Sequence, residues 1–394
     1  MKYRIAYLSG APRVSTHPEA ERTGPRSHVL GVINAFQKLG CEVKPYIVGD
    51  RIPKSFVGKG SEQAINSNFF RTLAVDVIRI LGGFINAQKA YQELGGQVDW
   101  VYERFGAFQA MGMPFKRHNI PWILETNALV YEEAKFERKS LVLYDLARRT
   151  EIKAYQECDV LVCVSEVLKE RLVKEAGISD EKILVVPNGV DTDLINPEKY
   201  PPKYLFDGFT IGFVGTLDAW QGLDLLINAL DYLKKETGIV VNLVVIGDGP
   251  MQEKWENLTH QLGLTSQVRF VGRLPHIEVL PIVAGCDIGY LGHLDLQGRK
   301  VYRSPLKLYE YMGMGKPVLT PILDDTQTLV YEGQTGFFFK ENNLEEIKQS
   351  IMQAYKSRDQ LAEMGRKARE VIVANHTWTA RVQTMVKGIE NKFK

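Results

Sequence analysis

Twelve short runs of β-branched and aromatic residues, each separated from the next by a turn or a helix-patterned stretch, constrain this chain more than any other feature. They lie at Arg4–Leu8, Val43–Val48, Trp100–Glu103, Trp122–Glu125, Val160–Val164 and Ile183–Val186, and then at Ile211–Val214, Val241–Ile246, Val268–Val271, Ile288–Leu291, Val318–Leu319 and Gly336–Phe339. Between them apolar residues recur at i, i+3, i+4 and i+7, as in Leu223, Leu226, Leu230 and Leu233. Continuous apolar strands separated by helices imply parallel sheets covered on both faces, an α/β architecture.

The 394 residues exceed the span of one domain, at roughly 100–200 residues each. The proline-rich, aperiodic stretch Asn196-Pro197-Glu198-Lys199-Tyr200-Pro201-Pro202-Lys203 ends the first set of βα units, and Thr210-Ile211-Gly212-Phe213-Val214-Gly215 begins a second. Two doubly wound, Rossmann-like domains are therefore expected, residues 1–200 and 201–376, with a last helical segment, 377–394, folding back onto the first. Each would present a ligand site at the carboxyl ends of its strands, facing a central cleft.

Composition removes several functional classes. With 45% hydrophobic and 24% charged residues the chain is neither disordered nor fibrous. A formal charge of +2 argues against nucleic acid as the main partner. No apolar run reaches the ~18 residues of a membrane span, and the start, Met1 to Gly10, reads as a strand instead of a secretory leader. Cys41, Cys158, Cys163 and Cys286 show no CxxC spacing and suit buried, reduced thiols, so a cytoplasmic setting is expected.

Glycine-rich strand-to-helix turns follow three of the runs: Val214-Gly215-Thr216-Leu217, Ile246-Gly247-Asp248-Gly249-Pro250 and Val271-Gly272-Arg273. Such turns let backbone N–H groups approach a phosphate, and they serve equally as tight turns with no ligand. No G-x-G-x-x-G with a following acid occurs, nor a Walker A sequence, so a nicotinamide cofactor is poorly supported. The stretch Ser304-Pro305-Leu306-Lys307-Leu308-Tyr309-Glu310-Tyr311-Met312-Gly313-Met314-Gly315-Lys316-Pro317-Val318 is the richest. Pro305 suits a helix start, Gly315-Lys316-Pro317 ends the helix, and Glu310 could accept the two hydroxyl hydrogen bonds that gripping a ribose requires.

Leu184-Val185-Val186-Pro187-Asn188-Gly189-Val190-Asp191, Gly212-Phe213-Val214-Gly215, Val245-Ile246-Gly247-Asp248-Gly249-Pro250, Val268-Arg269-Phe270-Val271-Gly272, Leu308-Tyr309-Glu310-Tyr311-Met312 to Pro317-Val318, and Gly333-Gln334-Thr335-Gly336-Phe337 follow in order. This series resembles the retaining glycosyltransferases of family four, which have the GT-B fold. The resemblance implies a nucleotide-sugar donor held by the C-terminal domain, an acceptor held by the N-terminal one, and no cofactor or metal. It implies that Glu310 binds the ribose hydroxyls, that Gly272-Arg273-Leu274 lies beside the base and that Gly215 lies beside the diphosphate. Gly247, Ser304, Pro305 and Leu306 complete the implied donor site. The loop Thr23-Gly24-Pro25-Arg26-Ser27-His28 would approach the diphosphate, with Gly24-Pro25 in place of the usual paired glycine.

Three positions depart from the family pattern. The first Glu of the Glu-x7-Glu signature falls on Tyr302, and the phosphate-binding Arg and Lys fall on or near Thr216 and Gln221. Lys307, one helical turn before Glu310, is the candidate for restoring the charge, with Arg299, Lys300 and Arg303 as alternatives. The histidine often found after the fourth or fifth N-terminal strand gives way to Leu124-Glu125-Thr126-Asn127, which makes Glu125 and Asn127 candidates to meet sugar or acceptor. Asp191-Thr192-Asp193 spells D-x-D, but after Pro-Asn-Gly it reads as a turn cap and not as metal ligands.

The family transfers a sugar with retention, without a protein nucleophile, while preorganised donors and cations neutralise the leaving diphosphate. A glycan, exopolysaccharide or glycolipid pathway is the natural setting. An epimerase or hydrolase on a similar scaffold, and a donor-binding subunit without activity, are the rival readings. Residues 51–92 carry Arg51, Lys54, Lys59, Arg71, Arg79 and Lys89 against Glu62 and Asp76, with Phe69, Leu73, Val77, Ile80, Leu81 and Phe84 at helical spacing. That segment fits either a basic amphipathic surface for an anionic membrane or a core helix ending in a turn at Gly82-Gly83.

Overall fold

Each of the twelve runs becomes a strand, and all pair in parallel. The computed structural model describes residues 3–21, 23–52, 68–294 and 304–393, with only the backbone of Glu137. Strands β1 (Arg4–Ser9), β2 (Glu42–Ile47), β3 (Trp100–Arg104), β4 (Trp122–Thr126), β5 (Val160–Cys163) and β6 (Ile183–Val185) form one sheet, ordered β2-β1-β3-β4-β5-β6. Strands β7 (Thr210–Val214), β8 (Asn242–Ile246), β9 (Val268–Gly272), β10 (Ile288–Tyr290), β11 (Val318–Pro321) and β12 (Gly336–Phe339) form the other, ordered β12-β11-β10-β7-β8-β9. The order reverses between β1 and β3 in the first sheet and between β7 and β10 in the second, the points where doubly wound sheets open a crevice. Both faces are buried, as the unbroken apolar runs require: Leu243 and Val245 enter one core of the second sheet, Val244 and Ile246 the other.

The described residues form two units. Residues 3–188, 304 and 378–393 make up the first, and 189–294 and 305–377 the second. The division falls after Asn188, ahead of the expected boundary at 200. The reason is packing: Ile195 is 1% exposed in the second unit's core, Leu194 and Tyr200 lie against that core, and Arg369 donates to the carbonyls of Ile195 and Gly313. The proline-rich stretch is thus anchored to the second unit and is no free linker.

The last helix, Trp378–Lys392, belongs to the first unit and packs on the helix Gly24–Lys38. Trp378 lies across Gly31, where a Cβ would stand 2.3 Å from its indole Nε1, and meets the His28 ring edge-on at 5.0 Å. Lys392 donates to the carbonyl of Glu181.

The helix Phe69–Leu94 begins at Asn68, whose side chain accepts from the Phe70 N–H at 2.9 Å. It corrects the expectation for this segment in two respects. No turn occurs at Gly82-Gly83; the helix runs on, and Gly83 lets it pass the Phe108 carbonyl, which a Cβ would approach to 2.5 Å. Nor does it bury its apolar stripe. The inward face carries Thr72, Asp76, Gly83, Ala87, Ala90 and Leu94. Asp76 accepts from the Val142 and Leu143 N–H groups at 2.8 and 3.0 Å and from Arg79 at 3.1 Å. Phe70, Ile78 and Phe84 point outward at 77%, 66% and 69% exposure, so the apolar face is left uncovered. Lys54, Lys59 and Glu62 lie outside the described residues. No described helix is long and apolar enough to cross a membrane.

Replacing Trp378 by alanine should lower unfolding free energy by about 3–5 kcal/mol, the usual range for a buried Trp. Urea unfolding of the full chain measures this, and an unchanged midpoint would show that the last helix adds nothing to the first unit.

Candidate functional site

The turn after β7 sits at the switch point of the second sheet. Gly215 leaves the strand at φ +151° and donates to the Ile246 carbonyl at 3.0 Å. Gly247, at φ +136°, packs so close that a Cβ there would lie 1.9 Å from the Gly215 oxygen. Neither position tolerates a side chain, and the backbone is bare as a result. The chain then forms a 3-10 turn, Ala219–Gln221, which returns Gln221 to a buried position at 2% exposure.

Lys307 meets this turn from the helix Leu306–Gly313, whose N-cap position is Pro305. Its ammonium donates to Gln221 Oε1 at 2.9 Å and stands 4.0 Å from the centroid of the Phe213 ring. A Cβ on Gly215 would be 3.0 Å from Lys307 Nζ and 3.6 Å from Gln221 Nε2. Among the described residues no carboxylate is within ion-pair distance of this ammonium. Burial dominates its ionisation and pulls it down to about 7, against the pull of Asp218 and Glu310 toward the charged form. Lys307 is therefore at the glycine turn and away from bulk water, and Gln221, where the family pattern has a cation, is the group that orients it.

Other expected donor-site residues divide. Glu310, one turn beyond Lys307, is partly buried, with Oε1 3.4 Å from His276 Nε2. Arg273 is exposed and 3.5 Å from Asp248, while Leu274 packs against the core of the second unit. Thr216 is exposed and carries no charge into the site. Ser304 stands apart, in the first unit, its hydroxyl accepting from the Asn188 N–H at 3.0 Å and its carbonyl from Asn188 Nδ2 at 2.6 Å. Tyr302, Arg299, Lys300 and Arg303 lie outside the described residues.

Gly24 opens the first unit's helix Gly24–Lys38 behind Thr23, whose side chain accepts from the Arg26 N–H at 3.4 Å. Arg26 turns inward, donating to the carbonyls of Ser15 and His17 at 2.9 and 2.8 Å, so it braces the preceding loop. Asp191 Oδ1 accepts from the N–H groups of Asp193 and Leu194 at 3.1 and 3.2 Å, the turn cap expected of it.

Glu125 is not a free strand end. It is buried, and His28 Nε2 lies 2.7 Å from its Oε1. Burial works to raise this carboxyl, yet His28, Arg104 and the Tyr102 hydroxyl outweigh it and hold the group below the ordinary carboxylate range. Asn127 donates to Glu125 Oε1 at 3.2 Å and accepts from Arg104 Nη2 at 3.3 Å. Sequence reasoning missed His28, Arg104 and His276. The spacing of His28 four residues after Gly24 places both on one helical face and was a usable signal. Arg104 depends on strand register, which no local pattern states.

Two family models match consecutive parts of the chain: glycosyltransferase family 4 over residues 23–194 and glycosyl transferases group 1 over residues 198–371. The chain belongs to the family-four, group 1 glycosyltransferases. A glycosyltransferase of Methanocaldococcus jannaschii, itself uncharacterised, is 25% identical over 279 residues, 70% of this chain and 69% of that one. The GDP-mannose-dependent alpha-(1-6)-phosphatidylinositol monomannoside mannosyltransferase of Mycobacterium tuberculosis is 23% identical over 232 residues, 56% of this chain and 58% of that one. Apart from the archaeal protein, the chain spans about half or less of the length of the curated relatives it matches. Among solved structures, sucrose-phosphate synthase of Thermosynechococcus elongatus superposes with a TM-score of 0.72 at 15% identity, covering 99% of both chains. Anabaena HepE in complex with UDP-glucose superposes at 0.67 and 16% identity, covering 99% of this chain and 100% of that one. At these identities the likeness to the solved structures is one of fold, and the fold is GT-B.

Lys307 carries a pH signature. Its folded value is lowered from the ordinary lysine range, so between about pH 7 and pH 10 the unfolded chain binds the extra proton and stability rises with pH. Below about pH 7 both states are protonated and the full cost of burying the charge persists. The variant Lys307→Met should lose this rise and gain stability below pH 7, as read from urea midpoints across that range.

Proposed function

We propose that the chain is a retaining, metal-independent glycosyltransferase that moves a hexose-type unit from a nucleoside-diphosphate sugar to a hydroxyl acceptor. The second unit would hold the donor and the first the acceptor, with glycan, exopolysaccharide or glycolipid synthesis as the setting. The observation that carries this reading is the Lys307 ammonium, held against a bare glycine turn by a neutral amide oxygen. Such a cation is available to a diphosphate, and a preorganised cation in a water-poor site stabilises the charge that develops on a leaving group. The bond from the anomeric carbon to the diphosphate oxygen breaks as the acceptor oxygen bonds to the same face of that carbon. The acceptor proton passes to the departing phosphate, so no protein nucleophile is needed. Glu310 would grip the ribose, and no cofactor beyond the donor is involved. HepE was solved with UDP and with UDP-glucose, which supports a nucleotide of this kind without fixing the base for this chain.

Calorimetry with UDP, GDP and ADP, followed by donor turnover with and without acceptor sugars, tests this. Lys307→Met should weaken nucleoside-diphosphate binding and lower turnover about a hundredfold, the scale of losing one preorganised charge donor. Glu310→Ala should weaken nucleotide binding mainly. Wild-type affinity should fall above about pH 7, because binding must return a proton to Lys307. Equal turnover in all three proteins would reject the site, hydrolysis unaffected by acceptor would favour a hydrolase, and binding without turnover would favour a donor-binding subunit.

A second element of the reading rests on the uncovered face of the helix Phe69–Leu94, whose exposed aromatics lie beside the exposed Arg71 and Lys89. We infer that this face rests on the anionic cytoplasmic surface of a membrane, where a lipid-linked acceptor would be collected. The mycobacterial relative is named for a phosphatidylinositol mannoside. Co-sedimentation should show binding to phosphatidylserine-containing vesicles and little to phosphatidylcholine alone. The triple variant Phe70→Asp, Ile78→Asp, Phe84→Asp should abolish it, and undiminished binding by that variant would reject the surface.

A further inference from the structure

The first unit holds a group of buried polar atoms that its own fold leaves unused. Ser9 pairs with Arg104, and Arg104 with Glu125, so these residues form one row across the carboxyl ends of β1, β3 and β4. The row spans the switch point between β1 and β3. Tyr7, two residues before Ser9, shares its face of the sheet and stacks on Tyr102 at 5.6 Å. Gln109 reaches the same strand ends, its Oε1 within 1.8 Å of where a Cβ on Gly10 would stand. Tyr7, Ser9, Gln109 and Glu125 are each more than nine-tenths buried, and Tyr7 Oη, Ser9 Oγ, Gln109 Oε1, Glu125 Oε2 and Arg104 Nε make no hydrogen bond.

Each such atom costs a fold about 1–3 kcal/mol, so five gathered at one switch point call for a ligand that uses them. Their polarity selects its class. The phenol, the hydroxyl and the guanidinium donate, while the carboxylate and the amide oxygen accept. A phosphate or carboxylate only accepts, and it would set its charge against Glu125 and Gln109. Neighbouring hydroxyls on an uncharged ring both donate and accept. Arg104 and Asn127 remain partly exposed at the rim, which gives such a ring an approach.

We propose that the row Ser9–Arg104–Glu125, with Tyr7 and Gln109, is a binding subsite for the hydroxyls of a neutral saccharide. The proposal rests on the transferase reading for its purpose, since either the acceptor or the donor sugar supplies those hydroxyls, but its test does not depend on nucleotide binding. His28 is a positioning residue here, holding the Glu125 carboxylate through Oε1 and leaving Oε2 to the ligand.

The variants Tyr7→Phe and Ser9→Ala each delete one unused hydroxyl and nothing else. Hydroxyls with no partner lose nothing on removal, so melting temperatures should hold or rise. Calorimetry on the full chain with UDP, UDP-glucose and the methyl glycosides of glucose, mannose and N-acetylglucosamine reads the ligand side. The proposal expects UDP affinity to stay at the wild-type value while saccharide affinity drops about tenfold per variant. A loss in UDP-glucose relative to UDP assigns the donor's sugar, and a loss confined to the glycosides assigns the acceptor's. The subsite is overturned if the wild type binds no glycoside at millimolar concentration and both variants keep UDP-glucose affinity. It is equally overturned if both variants melt lower or lose UDP affinity in parallel. Failure of UDP to bind the wild type would count against the donor reading alone, because the glycoside measurements would still decide the subsite.

Discussion

A lysine ammonium held by a neutral amide and an aromatic face is costly for a protein to keep. Elsewhere in this chain buried charge is matched: Asp76 has Arg79 and two backbone N–H groups, and Glu125 has His28. Lys307 has the oxygen of Gln221 and the ring of Phe213. Its surroundings follow from that choice. The turn at Gly215 must be bare to admit the ammonium, Gly247 must be bare to let the turn close down, and Gln221 must be tucked inward to hold the lysine in place. The pattern is one of charge relocated from loop to helix, because the exposed Thr216 and the buried Gln221 no longer carry it.

The strands were legible because parallel sheets buried on both faces need unbroken apolar runs, and nothing else in a chain of this composition produces twelve of them. The position of Lys307 was legible too, since one helical turn fixes its side relative to Glu310. The Glu125 site was only half legible. A strand end was visible, but the partner that decides its ionisation is His28, from a helix nearly a hundred residues away, and the register that places Arg104 beside it is a tertiary property. The helix Phe69–Leu94 misled for a different reason. Periodicity gives an apolar stripe but not the side on which the rest of the protein lies, and here Thr72, Asp76 and small residues face inward while the aromatics do not.

The boundary between the units shows how packing overrides composition. Prolines 197, 201 and 202 look like a tether, yet Ile195 is fully committed to the second unit, and Arg369 closes two carbonyls around it. Aperiodic sequence marks the absence of helix and strand, which is a weaker statement than the absence of structure.

Trp378 and the helix behind it belong to the first unit although 190 residues of other sequence come between. On the ribosome, the sheet of the first unit emerges early while the groove along Gly31 stays open until the final helix has been made. The second unit can close on itself before then. The half of the protein that is translated first is thus the last to be finished, and throughout elongation its exposed groove is the surface a chaperone would find.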